Sequence, residues 1–286
     1  MLAPIVNFAH YAGLTLAVGA VTLRYFVLTR SGLALSERTP ALRDAAKYGM
    51  AGAAAVLVAA PLRALVQLLA LRMPGDEWSV LLRAVAGTAL GRTLMLQAVW
   101  AAAMIGTLAV ARLGAQRGWS GAFITTLISA GIVSMTGHAA TAEHPLIAQG
   151  SVVLHLLGAG AWIGTLFQLW RMARKASEST LTAILKAFHG VALTGAAMVA
   201  VSGAVQVWSI VERPAQLWST LWGALLLAKL AALGGVLFLG YRHWKGAEQQ
   251  VGMGVRAQLR ASLIKELWLA AVVLALTGAL TSTGLE

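Results

Sequence analysis

Residues 144–170 read HPLIAQGSVVLHLLGAGAWIGTLFQLW, a run that from Pro145 onward holds no Asp, Glu, Lys or Arg and places a histidine ten residues past its proline. A helix crosses the hydrocarbon core of a bilayer in about 20 mostly apolar residues. This run is long enough to do so, and Pro145 suits the first position of such a helix. The stretch therefore reads as a membrane helix with an imidazole about 15 Å below its start, at 1.5 Å per residue.

The rest of the chain agrees with that reading. Of 286 residues, 59% are hydrophobic and 11% charged, and the mean hydropathy is +0.76. The expected class is an all-α polytopic membrane bundle forming one transmembrane domain over 1–286. Eight spans are expected, near 4–29, 47–72, 88–112, 119–138, 145–170, 187–211, 216–241 and 262–283. The start MLAPIVNFAH has no basic n-region and reads as a retained first helix, not a cleaved signal.

The net charge is +12, and the basic residues sit in short loops, where they orient helices, so no nucleic-acid partner is expected. Arg30, Arg38, Arg43 and Lys47 follow the first helix, and Arg112 and Arg117 follow the third. Arg171, Arg174, Lys175 and Lys186 follow the fifth, and Arg242, Lys245, Arg256, Arg260 and Lys265 the seventh. These loops are expected to be cytoplasmic and both termini periplasmic.

An internal echo accompanies the eight spans. Aligning HYAGLTLAVGAVTLRYFVLTR (10–30) with HLLGAGAWIGTLFQLWRMARK (155–175) superposes His10 on His155, Gly13 on Gly158 and Gly19 on Gly164. LGRTLMLQ and WGALLLAK pair Gly91 with Gly223 and Gln97 with Lys229. An offset of four helices preserves orientation, so the expectation is a parallel repeat with halves 1–138 and 139–286.

The polar residues gather at one place. Met135 and His138 are three apart at the end of the fourth helix, Glu143 and His144 follow in the loop, and His155 lies inside the fifth helix. The chain has no cysteine, so a soft metal falls to His and Met: thioether with imidazole suits Cu(I), and imidazole with carboxylate suits Cu(II) or Zn(II). Gly158 and Trp162 share a face with His155, and Trp162 would wall that histidine on its cytoplasmic side. His10, near the outer end of the first helix, is a fifth candidate ligand if the halves bring it toward His155. The alternative for His155 is a neutral ring bonded to a neighbouring helix. Glu143 beside Pro145 is explained by a helix N-terminus alone.

Lys229 sits about a dozen residues from either end of its helix, where a cation costs at least about 2.5 kcal/mol on insertion scales. Glu266 is its expected counter-charge, and snorkelling to the interface is the alternative. Thr194, Met198, Ser202 and Gln206 make a polar stripe on the sixth helix, read either as interhelical glue or as an ion path. No Walker loop or acylphosphate motif is present, and no enzymatic role is expected.

GHAA at a helix exit, VLHLLGAGAWIG, LWGALLLAKLAAL and LIKELWLAAVVLALTGALTST together resemble the CopD family of bacterial inner-membrane copper resistance proteins. The likeness is best over 134–286 and rests on His155, Trp162, Gly164, Lys229 and Glu266. It implies a protein that moves copper between periplasm and cytoplasm beside a small periplasmic copper chaperone. Thr165 stands where the family doubles the glycine after the tryptophan, and the TSTGLE terminus lacks the family's proline. The resulting expectation is a permease that receives copper at His138, His144 and Met135 and passes it to His155, with His10 near by. Trp162 would serve as floor or gate and Lys229 as a fixed charge. A b-type haem electron-transfer protein, with haem b held by His10 and His155, is the alternative.

Overall fold

The computed structural model describes residues 2–211, 213–247 and 255–283, with side chains described throughout except at His138, 242–260 and Ser262. The described residues are helical, with no strand among them. Helix α1, Leu2–Thr22, runs on through a π-helical turn at Leu23–Val27; α2 is Leu35–Leu71, α3 Trp78–Gly87, α4 Ala89–Arg112, α5 Gln116–Ser134 and α6 His138–Thr141. Helix α7, Pro145–Ala159, continues through a second π turn, Gly160–Gly164, into α8, Thr165–Met172; α9 is Glu178–Ile210, α10 Gln216–Ser219, α11 Leu221–Ala247 and α12 Val255–Leu280.

Seven of these are long and apolar enough to cross a bilayer: α1 with its turn, α2, α4, α7 with α8, α9, α11 and α12. The eighth expected span, near 119–138, is α5, which has 19 residues and ends at Ser134. Gln116, Arg117 and the buried Thr125, Thr126, Ser129 and Ser134 make it more polar than the others. Two helices also begin well before the apolar runs that mark them. Helix α2 starts at Leu35, where the Glu37 carboxylate accepts from the Ala34 N–H. Helix α9 starts at Glu178, where Ser177 Oγ accepts from Thr180 N at 3.1 Å. Capping carries each helix through a charged first turn that hydropathy cannot see.

Helix α1 is the hub, packing on α2, α12, α5, α8 and the Gly160–Gly164 turn. Glycines set how close these helices come. A Cβ on Gly13 would lie 2.5 Å from the Gly52 carbonyl of α2, and one on Gly158 would lie 2.9 Å from the Gly195 carbonyl of α9. Around Gly13 stand Ala55 and Val56; around Gly158 stand Met198 and Val199, in the same arrangement. Helices α1 and α7–α8 meet at Gly19 and Gly164, where a Cβ on Gly164 would lie 2.0 Å from the Thr15 carbonyl, and Thr165 Oγ1 donates to the Gly19 carbonyl at 3.3 Å.

The starts of α4 and α11 also match. Thr88 Oγ1 accepts from Gly91 N at 2.9 Å, and Thr220 Oγ1 accepts from Gly223 N at 3.0 Å. A short helix precedes each, α3 in one case and α10 in the other.

Candidate functional site

The deep histidine of α7 faces α9. His155 Nδ1 lies 3.1 Å from Ser202 Oγ, and the backbone at Gly203 passes close enough that a Cβ there would stand 3.6 Å from the ring. Ser202 is 1% exposed, and its hydroxyl donates back to the Met198 carbonyl of its own helix. With that proton directed to its own helix, Ser202 Oγ presents a lone pair to His155 Nδ1, which favours the Nδ1–H tautomer. Ser202 thus ties the ring of His155 to α9, and an imidazole oriented by an outer partner is how a metal-ligating histidine is presented.

The polar stripe on α9 divides its work. Met198, Ser202 and Gln206 turn toward α7, with Gln206 Nε2 donating to the Ser151 carbonyl at 3.4 Å. Thr194 bonds its own helix at Gly190. Trp162, 6% exposed, sits in the π turn against Gly195 of α9, two turns deeper than His155. The π turn itself escaped sequence reading, although Gly158, Gly160 and Gly164 marked a segment where backbones approach.

Lys229 lies about 12 Å along α11 from Leu221, half-buried and within charge–charge range of His155. Glu266, 4% exposed, lies three residues inside the apolar span that opens at Leu263, on α12, which packs on α11.

At the far mouth, Met135 is 55% exposed as the residue following α5, and Glu143 and His144 are exposed just before α7. Pro145 opens α7, as the sequence indicates. The side chain of His138 lies outside the described residues, though its backbone begins α6. Among the described residues no three His, Asp or Glu side chains converge on one point.

His10 is enclosed elsewhere. It is fully buried and neither ring nitrogen has a hydrogen-bond partner, with Arg63 of α2 within charge–charge range. His10 and Gly13 lie on the face of α1 that packs on α2. Gly19, nine residues on, is on the opposite face, which meets α8. His155 and Gly158 likewise face α9. The two histidines thus belong to different helix interfaces, and nothing in these contacts supports the axial pair that the haem alternative needs.

Two further buried polar groups lie on α4 and α5. Gln97 of α4 is 2% exposed with neither amide atom bonded, and Ser129 of α5 is fully buried with its hydroxyl unbonded. Gln97 was visible in sequence only as the counterpart of Lys229. Ser129 gave no signal beyond its place on the small-residue face with Thr125 and Thr126.

Residues 182–280 match the family model CopD, Copper resistance protein D. The match covers α9 to α12, and so Ser202, Lys229 and Glu266, and is narrower than the resemblance read from 134–286. No curated protein and no solved structure matches the chain.

Proposed function

We infer, from the chain's membership of the CopD family, that it is a copper resistance protein of a membrane, and we propose that it is a permease carrying copper from the periplasm inward across the bacterial inner membrane. In this reading α5 is the eighth span, both termini are periplasmic, and the loops rich in Arg and Lys are cytoplasmic. A periplasmic copper chaperone is the proposed donor. Copper is the cargo, and the ligands are those available without cysteine.

The proposed path begins at the exposed Met135 and His144, with His138 between them and Glu143 beside them. It descends to His155, where Nε2 takes the ion, and passes the thioether of Met198 toward Trp162. Lys229 supplies a fixed positive charge that keeps the ion's stay short, and Glu266 lies toward the cytoplasmic end. The observation that supports this reading is the contact of His155 Nδ1 with Ser202 Oγ at 3.1 Å, inside a membrane helix.

We further propose that the chain is a duplicated four-helix unit with halves 1–138 and 139–286. The paired contacts of Gly13 with Gly52 and Gly158 with Gly195, the self-matched Gly19–Gly164 crossing, and the twin caps at Thr88 and Thr220 support it. Under this pairing His10 corresponds to His155, Gln97 to Lys229 and Arg63 to Gln206. Each half thus holds one histidine, one cation and one glutamine, with cation and glutamine exchanged between helices. His10 then belongs to a separate chamber and is not a ligand shared with His155.

Uptake of Cu(I) into proteoliposomes tests the permease. His155→Ala is expected to reduce the initial rate at least tenfold while the protein remains monodisperse. Uptake at the wild-type rate would remove His155 from the path.

A further inference from the structure

A cleft of about 440 Å³ opens between α1 and α5 on one side and α7 and α9 on the other. Its walls are apolar for most of their length, with Thr194 and Met198 at the inner end and Arg30 at the outer. A second cavity of about 380 Å³ adjoins it, reached around Tyr25, and both are bounded by Phe26 and Phe123. The result is a cleft with a shallower groove beside it, the two sharing Phe26 and Phe123 as walls.

The polar end has one free charge. Arg30 follows the π turn of α1, is exposed, and its guanidinium makes no hydrogen bond or ion pair with the described residues. The neighbouring Arg24 is engaged differently, donating to Gln116 Oε1 at 2.7 Å and lying over the Tyr25 ring. Apolar walls with a basic residue at the headgroup end, between transmembrane helices, match the chemistry of an acidic lipid. A dry cavity of this size in a bilayer does not stay empty when acyl chains border it.

We propose that this cleft is a binding site for one anionic phospholipid, whose two acyl chains lie in the cleft and in the groove beside it, against Phe26 and Phe123, and whose phosphate rests on Arg30. The site is independent of copper. It nonetheless reaches the core of the second half, because Met198, whose carbonyl holds the Ser202 hydroxyl, forms part of its inner wall.

Gly190 gives a clean test. It lines the cleft, and a Cβ there would meet nothing within 4 Å, so Gly190→Leu fills the hollow without pressing on backbone. Wild type, Arg30→Gln and Gly190→Leu are equilibrated in mixed micelles with equal phosphatidylglycerol and phosphatidylcholine, stripped with detergent, and counted for retained lipid by native mass spectrometry. Wild type is expected to keep one lipid and to prefer phosphatidylglycerol about fivefold, the equivalent of about 1 kcal/mol for one basic residue at an anionic surface. Arg30→Gln is expected to keep a lipid without the preference, and Gly190→Leu to keep neither. Retention by Gly190→Leu at the wild-type level, an undiminished preference in Arg30→Gln, or recovery of a neutral isoprenoid from the wild-type cleft would each overturn the assignment. Thermal unfolding of Gly190→Leu serves as the folding control, with Thr194→Leu as a second cleft-filling variant.

Discussion

The crossing of α1 with α7–α8 allows the sharpest test of the packing. In Gly164→Ala the new methyl would stand 2.0 Å from the Thr15 carbonyl oxygen and 2.9 Å from Gly19 Cα, and in Gly19→Ala it would stand 2.2 Å from Gly164 C. Every opposing atom is backbone, so no rotamer change relieves the overlap and the helices must separate. Overpacking of this kind costs about 1–3 kcal/mol, and separation also stretches the bond from Thr165 to Gly19, an interhelical contact of about 0.6 kcal/mol. Alanine returns about 0.5–1 kcal/mol of backbone entropy, leaving a net loss of about 1–3 kcal/mol. Gly131→Ala in α5 and Gly106→Ala in α4 are the controls, because a Cβ at either position meets nothing within 4 Å. They are expected to stabilise by up to about 1 kcal/mol from the entropy effect alone. Unfolding in mixed micelles with increasing SDS, followed by tryptophan fluorescence and far-UV circular dichroism, reads the difference. If Gly164→Ala and Gly131→Ala unfold within about 0.5 kcal/mol of each other, the crossing is not where the structure places it.

Ser202→Ala removes the anchor of His155 and is expected to weaken Cu(I) binding about ten- to a hundredfold, as loss of an outer-shell partner does; competition with a chromogenic chelator measures it, and unchanged affinity would refute the tautomer argument. Lys229→Gln installs the residue found at the proposed matching place in the first half and is expected to tighten Cu(I) binding, since a like charge near the ligand repels a bound cation; the same titration showing weaker binding would contradict this. His10→Ala and His155→Ala are expected to add within about 0.5 kcal/mol in a double-mutant cycle on copper affinity, whereas a large coupling energy would mean a shared site. Gly13→Ala and Gly158→Ala, matched in surroundings, are expected to destabilise by similar amounts of about 1–3 kcal/mol, and a clear inequality in SDS unfolding would count against the duplication.

The long apolar helices were legible because twenty residues without charge leave few alternatives in a bilayer. Glu37 and Ser177 sit in charged first turns, so the starts of α2 and α9 depended on capping that hydropathy does not register. The polarity of α5 lies in Gln116 and Arg117 at its start and in Thr125, Thr126 and Ser129, and the threonine hydroxyls bond back to their own helix at Ala122. His155 was readable as a buried imidazole, and Ser202 as a member of a stripe, but their partnership depends on how α7 and α9 rotate about Gly158 and Gly195. Separation of His10 from His155 needed the same information. A repeat alignment pairs residues without giving the direction in which they point, and the faces of α1 are set by what packs on Gly13 and on Gly19.

The ammonium on α11 has a consequence for kinetics. A cation resting on a neutral imidazole near an ammonium would gain from one ligand and lose to long-range repulsion, which would shorten its residence. Storage proteins surround their metal with anionic donors and hold it for long periods; a conduit needs each stop to be shallow enough to leave. On the permease reading proposed above, a half-buried ammonium near His155 suits traffic better than custody.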